Sequence, residues 1–260
     1  MQKKASPVLE GLTSYWTDRA HSYSEQNLEE MNDWRRLAWR ELILSRAPER
    51  ERLRVLDVGT GPGFFAVNLA LAGCEVTAVD VTEHMLYHAW ENAQAYGAAV
   101  RCMLHTGDEL PFESGCFDLV VSRNVVWNLE FPEKALAEWQ RVLSPGGRMV
   151  YFDANWYLYL FDEAVRARRE ELQAEFRRNH PDYTSTGDLS PERVADLERI
   201  AYSLPLTGVL RPEWDKEVLA RLGMKNIEIV PEACRGVLDR PTWEHELPNP
   251  MFMVCAEKVA

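Results

Sequence analysis

Seven consecutive residues carry the densest chemistry in the chain: Asp57, Val58, Gly59, Thr60, Gly61, Pro62 and Gly63, set directly behind the apolar run "RVL". Glycines that follow a strand let the backbone come close to a ligand, and the N–H groups of the turn and of the next helix can hold it. Spacing decides which ligand. A dinucleotide fingerprint, G-x-G-x-x-G, would place its last glycine where Phe64 stands, counting from Gly59 and Gly61, and a phenylalanine blocks the close helix approach that this glycine serves. A Walker loop would close on Gly-Lys-Ser/Thr, and none follows. Asp57 at the strand's end would repel a pyrophosphate, whereas it suits a ligand with a positive amine.

A second acid, Asp80, ends the next apolar run, "EVTAV". A carboxylate there can accept both hydroxyls of a ribose, a role that nucleotide-linked oxidoreductases share. The segment after it, "VTEHML", offers Val81 and Met85 as apolar walls. Six histidines and five cysteines are scattered without a Cys-x-x-Cys pair or a histidine ladder, so no metal site is expected.

Together these motifs resemble the class I S-adenosylmethionine (SAM)-dependent methyltransferases, over about residues 53 to 153. In that family the loop lets the backbone approach the methionine part of SAM, and the strand-end acid helps to hold its amino group. The resemblance places those roles on Asp57, Gly59, Thr60, Gly61 and Gly63. "DVTEHML" is similar to the family's D-x-S-x-x-M-L, which implies that Asp80 holds the ribose while Val81 and Met85 sandwich adenine. "VRCMLHTGDELPF" resembles the loop that ends in G-D-A-x-x-L-P-F; Thr106 stands in the aspartate's place, Gly107 in the alanine's and Asp108 two residues on, so either Thr106 or Asp108 would meet the adenine amino group. "FDLVVS" and "RVLSPGG" match further family landmarks. Tyr15 and Tyr23 fall where relatives place aromatic side chains near the methionine end.

Methyl transfer is an in-line displacement that needs alignment and the exclusion of water, and a base only where the acceptor must lose a proton. Candidates follow the fourth and fifth strands: Asn124 beside the cofactor, Trp127 and Asn128 in an acceptor pocket, then Asp153 and Asn155 as catalytic groups, with Trp156 and Tyr157 as pocket walls. Capping of the following turn is the competing role for Asp153 and Asn155. Packing between cap and core is the competing role for the aromatics.

The elements that must position these groups alternate. Short β-branched runs (54–58, 75–80, 100–104, 117–122, 147–153) are separated by helical stretches, which predicts a doubly wound, Rossmann-like α/β sheet with helices on both faces. The resemblance makes it seven-stranded and mostly parallel, with the last strand antiparallel. A single domain is expected: a helical cap over 1–45, a cofactor-binding core over 46–154, a helical insertion over 155–210 containing the polar loop "HPDYTSTGDLSP", and a final helix and two strands over 211–260.

With 46% hydrophobic and 27% charged residues the 260-residue chain can bury a full core. Its net charge of -12, from 29 Lys plus Arg against 41 Asp plus Glu, disfavours nucleic acid and anionic membrane surfaces as partners. The arginines of "RARREELQAEFRR" alternate with glutamates as on a solvated helix face. No secretory signal and no membrane span are read, and a cytoplasmic setting is expected. The reading is a SAM-dependent methyltransferase for a small molecule. Its rivals are a thiol or metalloid acceptor, an NAD-linked oxidoreductase, and a SAM-binding module without transfer activity.

Overall fold

The computed structural model describes residues 6–183 and 190–259. Seven strands form one sheet: β1 (Arg54–Val58), β2 (Glu75–Asp80), β3 (Val100–Leu104), β4 (Phe117–Arg123), β5 (Leu143–Asp153), β6 (Lys225–Val230) and β7 (Phe252–Glu257). Their order is β3-β2-β1-β4-β5-β7-β6, with β7 antiparallel to both of its neighbours. The chain moves outward from β1 to β3, then crosses back to lay β4 on the other side of β1. Connections therefore leave the carboxyl ends of β1 and β4 in opposite directions, and the crevice between them is where ligands bind in such sheets.

Alternation along the strands feeds two cores. Val55, Leu119, Val121, Val150 and Phe152 pack on one face with Trp39, Phe65 and Leu69. Leu56, Val58, Val120, Met149 and Tyr151 pack on the other with Leu136 and Trp139. Each residue step changes the face, as the pleat requires, yet both faces are covered, so the strands read as continuous apolar runs.

The helices are α1 (Pro7–Met31), α2 (Arg35–Leu44), α3 (Phe64–Ala70), α4 (Glu83–Tyr96), α5 (Pro132–Val142), α6 (Glu163–Asn179), α7 (Pro191–Ala201), α8 (Glu213–Arg221) and α9 (Arg240–Glu246). Their ends follow local chemistry. Ser6, Asp162 and Ser190 cap α1, α6 and α7 through side-chain oxygens that accept backbone N–H bonds, and Gly97 closes α4 in the left-handed conformation. Two boundaries move from expectation. β5 begins at Leu143, ahead of the "PGG" expected to stop α5, and α8 starts at Glu213. Helix α9 is unanticipated: it has no buried residue, so its sequence lacks the apolar period that betrays a helix. Part of the loop from His180 to Pro191, residues 184–189, lies outside the described residues.

Helix α1 runs over the strand ends. Its buried positions Leu12, Tyr15, Arg19, Ser24, Asn27 and Met31, with Ala20 beside Arg19, follow one face of a helix. Leu12 and Tyr15 join Trp127, Leu197, Ala201 and Leu204 in a third apolar cluster that ties α1 to α7. At the foot of α1, the Ser6 hydroxyl donates to Glu130 at 2.6 Å. Among the described residues no helix is long and apolar enough to cross a membrane.

Candidate functional site

A cleft of about 1210 Å³, its open mouth included, lies over the carboxyl ends of β1, β2 and β4. The glycine loop forms its floor. Gly59 has φ +65°, and a Cβ there would collide with Val125 Cγ2; Gly61 has φ +54°, and a Cβ there would stand 3.5 Å from the Tyr23 ring. We expect Gly59→Ala to lower stability by about 2–5 kcal/mol, from left-handed strain and overpacking together. A urea unfolding midpoint measures it; adding Val125→Ala should restore the packing part and leave the backbone part.

Thr60 fastens the loop twice: its N–H donates to the Val79 carbonyl at 3.0 Å and its hydroxyl donates to Asp57 at 2.7 Å. Asp57 is 2% exposed. Burial pushes its carboxyl up to about 7, against the opposing pull of the Thr60 hydroxyl, the Ala66 N–H and Arg123. Asp80 accepts from Gly61 N–H and Thr82 N–H, each at 2.9 Å. Burial raises its carboxyl too, while those backbone donors draw it down. The second acid thus holds the glycine loop as well as facing the cleft.

The cleft also takes in Val81, Met85, Thr106, Gly107, Asp108, Asn124 and Asn128 among the expected residues. Asp108 is drawn toward Lys134, 3.3 Å away. Asn124 has φ +61°, and its Oδ1 is buried without a hydrogen-bond partner. An orphan buried acceptor calls for a donor that the described residues do not supply.

Other expected residues stand elsewhere. Gly63 heads α3 with φ +89°, and a Cβ there would meet the Ala89 backbone at 3.1 Å, so it serves the approach of α3 to α4 and does not line the cleft. Tyr15 points into the α1–α7 cluster, and its neighbour Trp16 faces the cleft instead. Trp127, Asn155, Trp156 and Tyr157 surround a separate, much smaller cavity. Asn155 bonds both backbone polar groups of Arg211.

Asp153 also stands outside the cleft. It is fully buried and accepts from Trp127 N–H (2.8 Å), Ala154 N–H (2.9 Å), the Trp156 indole (3.2 Å) and Arg211 (2.6 Å). Arg211 in turn pairs with Asp215, which accepts from the Tyr151 hydroxyl. With its lone pairs occupied and no face on the cleft, Asp153 is a structural anion. We expect Asp153→Asn to cost about 3–5 kcal/mol, because Arg211 is left poorly compensated. Ligand affinity of the folded fraction should stay within about twofold; thermal denaturation with and without ligand checks both.

Several cleft residues escaped the sequence: Leu9, Leu12 and Asn27 of α1, Arg123 at the end of β4, and Glu130 and Phe131 before α5. Arg123 had a signal, since it immediately precedes Asn124 at a strand's carboxyl end. The α1 residues had none, because nothing local says which helix face meets the cleft.

A family model described as a methyltransferase domain matches residues 56–151. With the sheet order and the cleft at its switch point, this gives the class: residues 56–151 carry a methyltransferase domain, on a sheet with the fold of the class I SAM-dependent methyltransferases, whose cofactor is SAM. It is 39% identical over 119 residues to a demethylmenaquinone methyltransferase of Thermus thermophilus, a match over 45% of this chain and 54% of the relative. The matched part thus spans about half the length of that relative. In fold it is similar to a putative SAM-dependent methyltransferase of Methanococcus maripaludis (TM-score 0.59, 20% identity, 100% of this chain and 98% of that one). It is also similar to Haemonchus contortus phosphoethanolamine N-methyltransferase 2 in complex with SAM (TM-score 0.57, 20% identity, 85% and 53%).

The residues present suit this cofactor. Two left-handed glycines, Gly59 and Gly61, turn the backbone along the cleft, Asp57 and the orphan Asn124 oxygen offer acceptors to an ammonium, and Asp80 lies at the neighbouring strand end.

Proposed function

We propose that the chain transfers the methyl group of SAM to a small, largely apolar acceptor by in-line displacement. The observation that carries this reading is the pairing, in one cleft, of a buried carboxylate ahead of the glycine loop with a second buried carboxylate at the next strand end. When bound, SAM supplies an electrophilic methyl group on a sulfonium. Asp57 and Asn124 hold the ammonium, Asp80 the ribose, and Val81 and Met85 wall the adenine, whose edge meets the loop from His105 to Asp108.

The rest of the cleft receives the acceptor. Leu9, Leu12 and Trp16 from α1 and Leu129 and Phe131 ahead of α5 give it apolar walls, with Asn128 and Glu130 as polar groups. Such walls exclude water and fix the angle of attack, which is most of what the displacement requires. With Asp153 and Asn155 outside the cleft, no base mounted on β5 takes part. The quinone methyltransferase relative is in keeping with an apolar acceptor. The negative net charge supports a small molecule over nucleic acid, and five free cysteines support a reducing, cytoplasmic setting.

Calorimetric titration with SAM, S-adenosylhomocysteine and NADH tests the reading. SAM and its product should bind; tight NADH binding without SAM binding would replace it with the oxidoreductase. Neither Asp57, which opposes a pyrophosphate, nor Phe64 favours that outcome.

A further inference from the structure

Arg123 is a buried cation on the wall of the cleft, and none of the contacts assigned to SAM or its acceptor uses it. It ends β4 beside β1, so its side chain enters the cleft next to Asp57. Its guanidinium donates to Glu30 Oε2 and to Asn27 Oδ1, both at 2.8 Å and one turn apart on α1. Its plane lies against aromatic rings, with the Phe64 centroid at 4.6 Å, Trp39 at 5.3 Å and Phe65 at 5.4 Å. The side chain is only 12% exposed. It is therefore held rigidly, with Asn27, Phe64 and Phe65 beside it on the same wall.

A guanidinium carries five N–H donors in a fixed plane, and two are engaged by α1. The other three N–H groups remain for a ligand. The local charges make the same point. Asp57 and Glu30 are acids, and Arg123 is the cation set beside both. The amino-acid end of SAM carries an ammonium, a carboxylate and a sulfonium, one net positive charge. Without Arg123 the ligand's carboxylate would face two acids and no cation.

We propose that Arg123 binds the carboxylate of a ligand's α-amino acid moiety, opposite Asp57 and the free Asn124 oxygen, which take its ammonium. The strand ends of β1 and β4 thereby form a two-sided cradle for a zwitterion. The arginine's bonds to Asn27 and Glu30 keep the free edge of its guanidinium aimed into the cleft, so α1 sets the geometry of the grip. This inference rests on the assignment of SAM to the cleft.

The test compares SAM with decarboxylated SAM, which keeps the amine, the sulfonium and the nucleoside, and with 5′-methylthioadenosine, which lacks the whole amino-acid end. The unmodified protein should bind SAM on the order of 10- to 100-fold more tightly than the decarboxylated compound, the range of a charge-assisted bond. In Arg123→Lys and Arg123→Gln that preference should shrink several-fold, while affinity for 5′-methylthioadenosine stays within about twofold. Equal binding of SAM and decarboxylated SAM by the unmodified protein overturns the proposal, and that comparison needs no variant to fold. Equal weakening of all three ligands in a folded variant overturns it too, and assigns Arg123 to anchoring α1 alone. Failure of the unmodified protein to bind SAM at all would instead overturn the functional reading beneath it.

Discussion

Replacing Asp80 with alanine should weaken SAM binding by about 100-fold or more, the expected loss of two charge-assisted hydrogen bonds to the ribose in a buried site. The structure adds a second consequence. Asp80 also accepts the Gly61 and Thr82 N–H groups, so its removal frees two backbone donors at the floor of the cleft. Loss of stability should be modest, about 1–3 kcal/mol, because relief of carboxylate burial offsets part of those lost bonds. Asp80→Asn separates the two effects, since its amide oxygen can keep one backbone donor while the amide nitrogen cannot accept from a hydroxyl. Calorimetry should place it between the parent and the alanine variant in affinity, and closer to the parent in melting temperature. Unchanged affinity in the alanine variant would show that the ribose lies elsewhere.

Asp57→Asn should do two opposite things: raise the stability of the ligand-free protein at pH 8 and abolish most of its affinity for SAM. The sign follows from proton linkage. Burial lifts the folded carboxyl to about 7, above its unfolded value of about 3.9, so between these limits the folded state holds more protons than the unfolded one. Stability is then greatest below about pH 4, falls as pH rises towards 7, and is level beyond. The gap between the folded and unfolded carboxyl is worth about 4 kcal/mol. The groups that set the value are the Thr60 hydroxyl, the Ala66 N–H and Arg123, which lower it, and Asp80, which raises it. The asparagine variant lacks this slope, so its advantage should grow from pH 4 to 7. Part of the gain is lost because one of the two donors, Thr60 or Ala66, would face an amide NH₂.

Ligand binding reverses the picture. An ammonium needs the ionised carboxylate, so SAM affinity of the parent should climb as pH rises to about 7 and decline once the ligand's own amine titrates, near 8. The variant should lose on the order of 10- to 100-fold in affinity and the climb with it. Melting curves and titrations between pH 5 and 9 measure both; parallel pH profiles for the two proteins would show that Asp57 does not meet the ligand's charge.

These predictions lean on residues legible in the chain before any fold was known, and the reason is short range. Asp57, Gly59, Gly61 and Asp80 act through turns at strand ends, where residue type, backbone angle and position on the strand are coupled within a few residues. The strands were legible for the same reason, as short β-branched runs set between helical stretches. Helix α9 was not, since a helix without a buried face leaves no period to read.

The limits appear where two distant segments decide a role. Asp153 had the right type at the right end of a strand, yet Arg211, which neutralises it, lies 58 residues away in sequence. Tyr15 and Trp16 are adjacent, and only the docking of α1 against α7 turns one into the core and the other toward the cleft. The aromatics from Trp127 to Tyr157 read as pocket walls, but they gather behind the cleft around a small cavity of their own.

The sequence by itself thus determined the doubly wound sheet, the glycine loop and the two acids, because strand alternation and turn chemistry are local. The tertiary structure decided which side chains beyond the loop meet the ligand. It withdrew Asp153 into an ion pair, turned Trp16 inward and brought Arg123 against α1 beside Asp57. Those outcomes depend on burial and on partners distant along the chain, and burial determines whether a charged group is a ligand contact, a base or a structural ion.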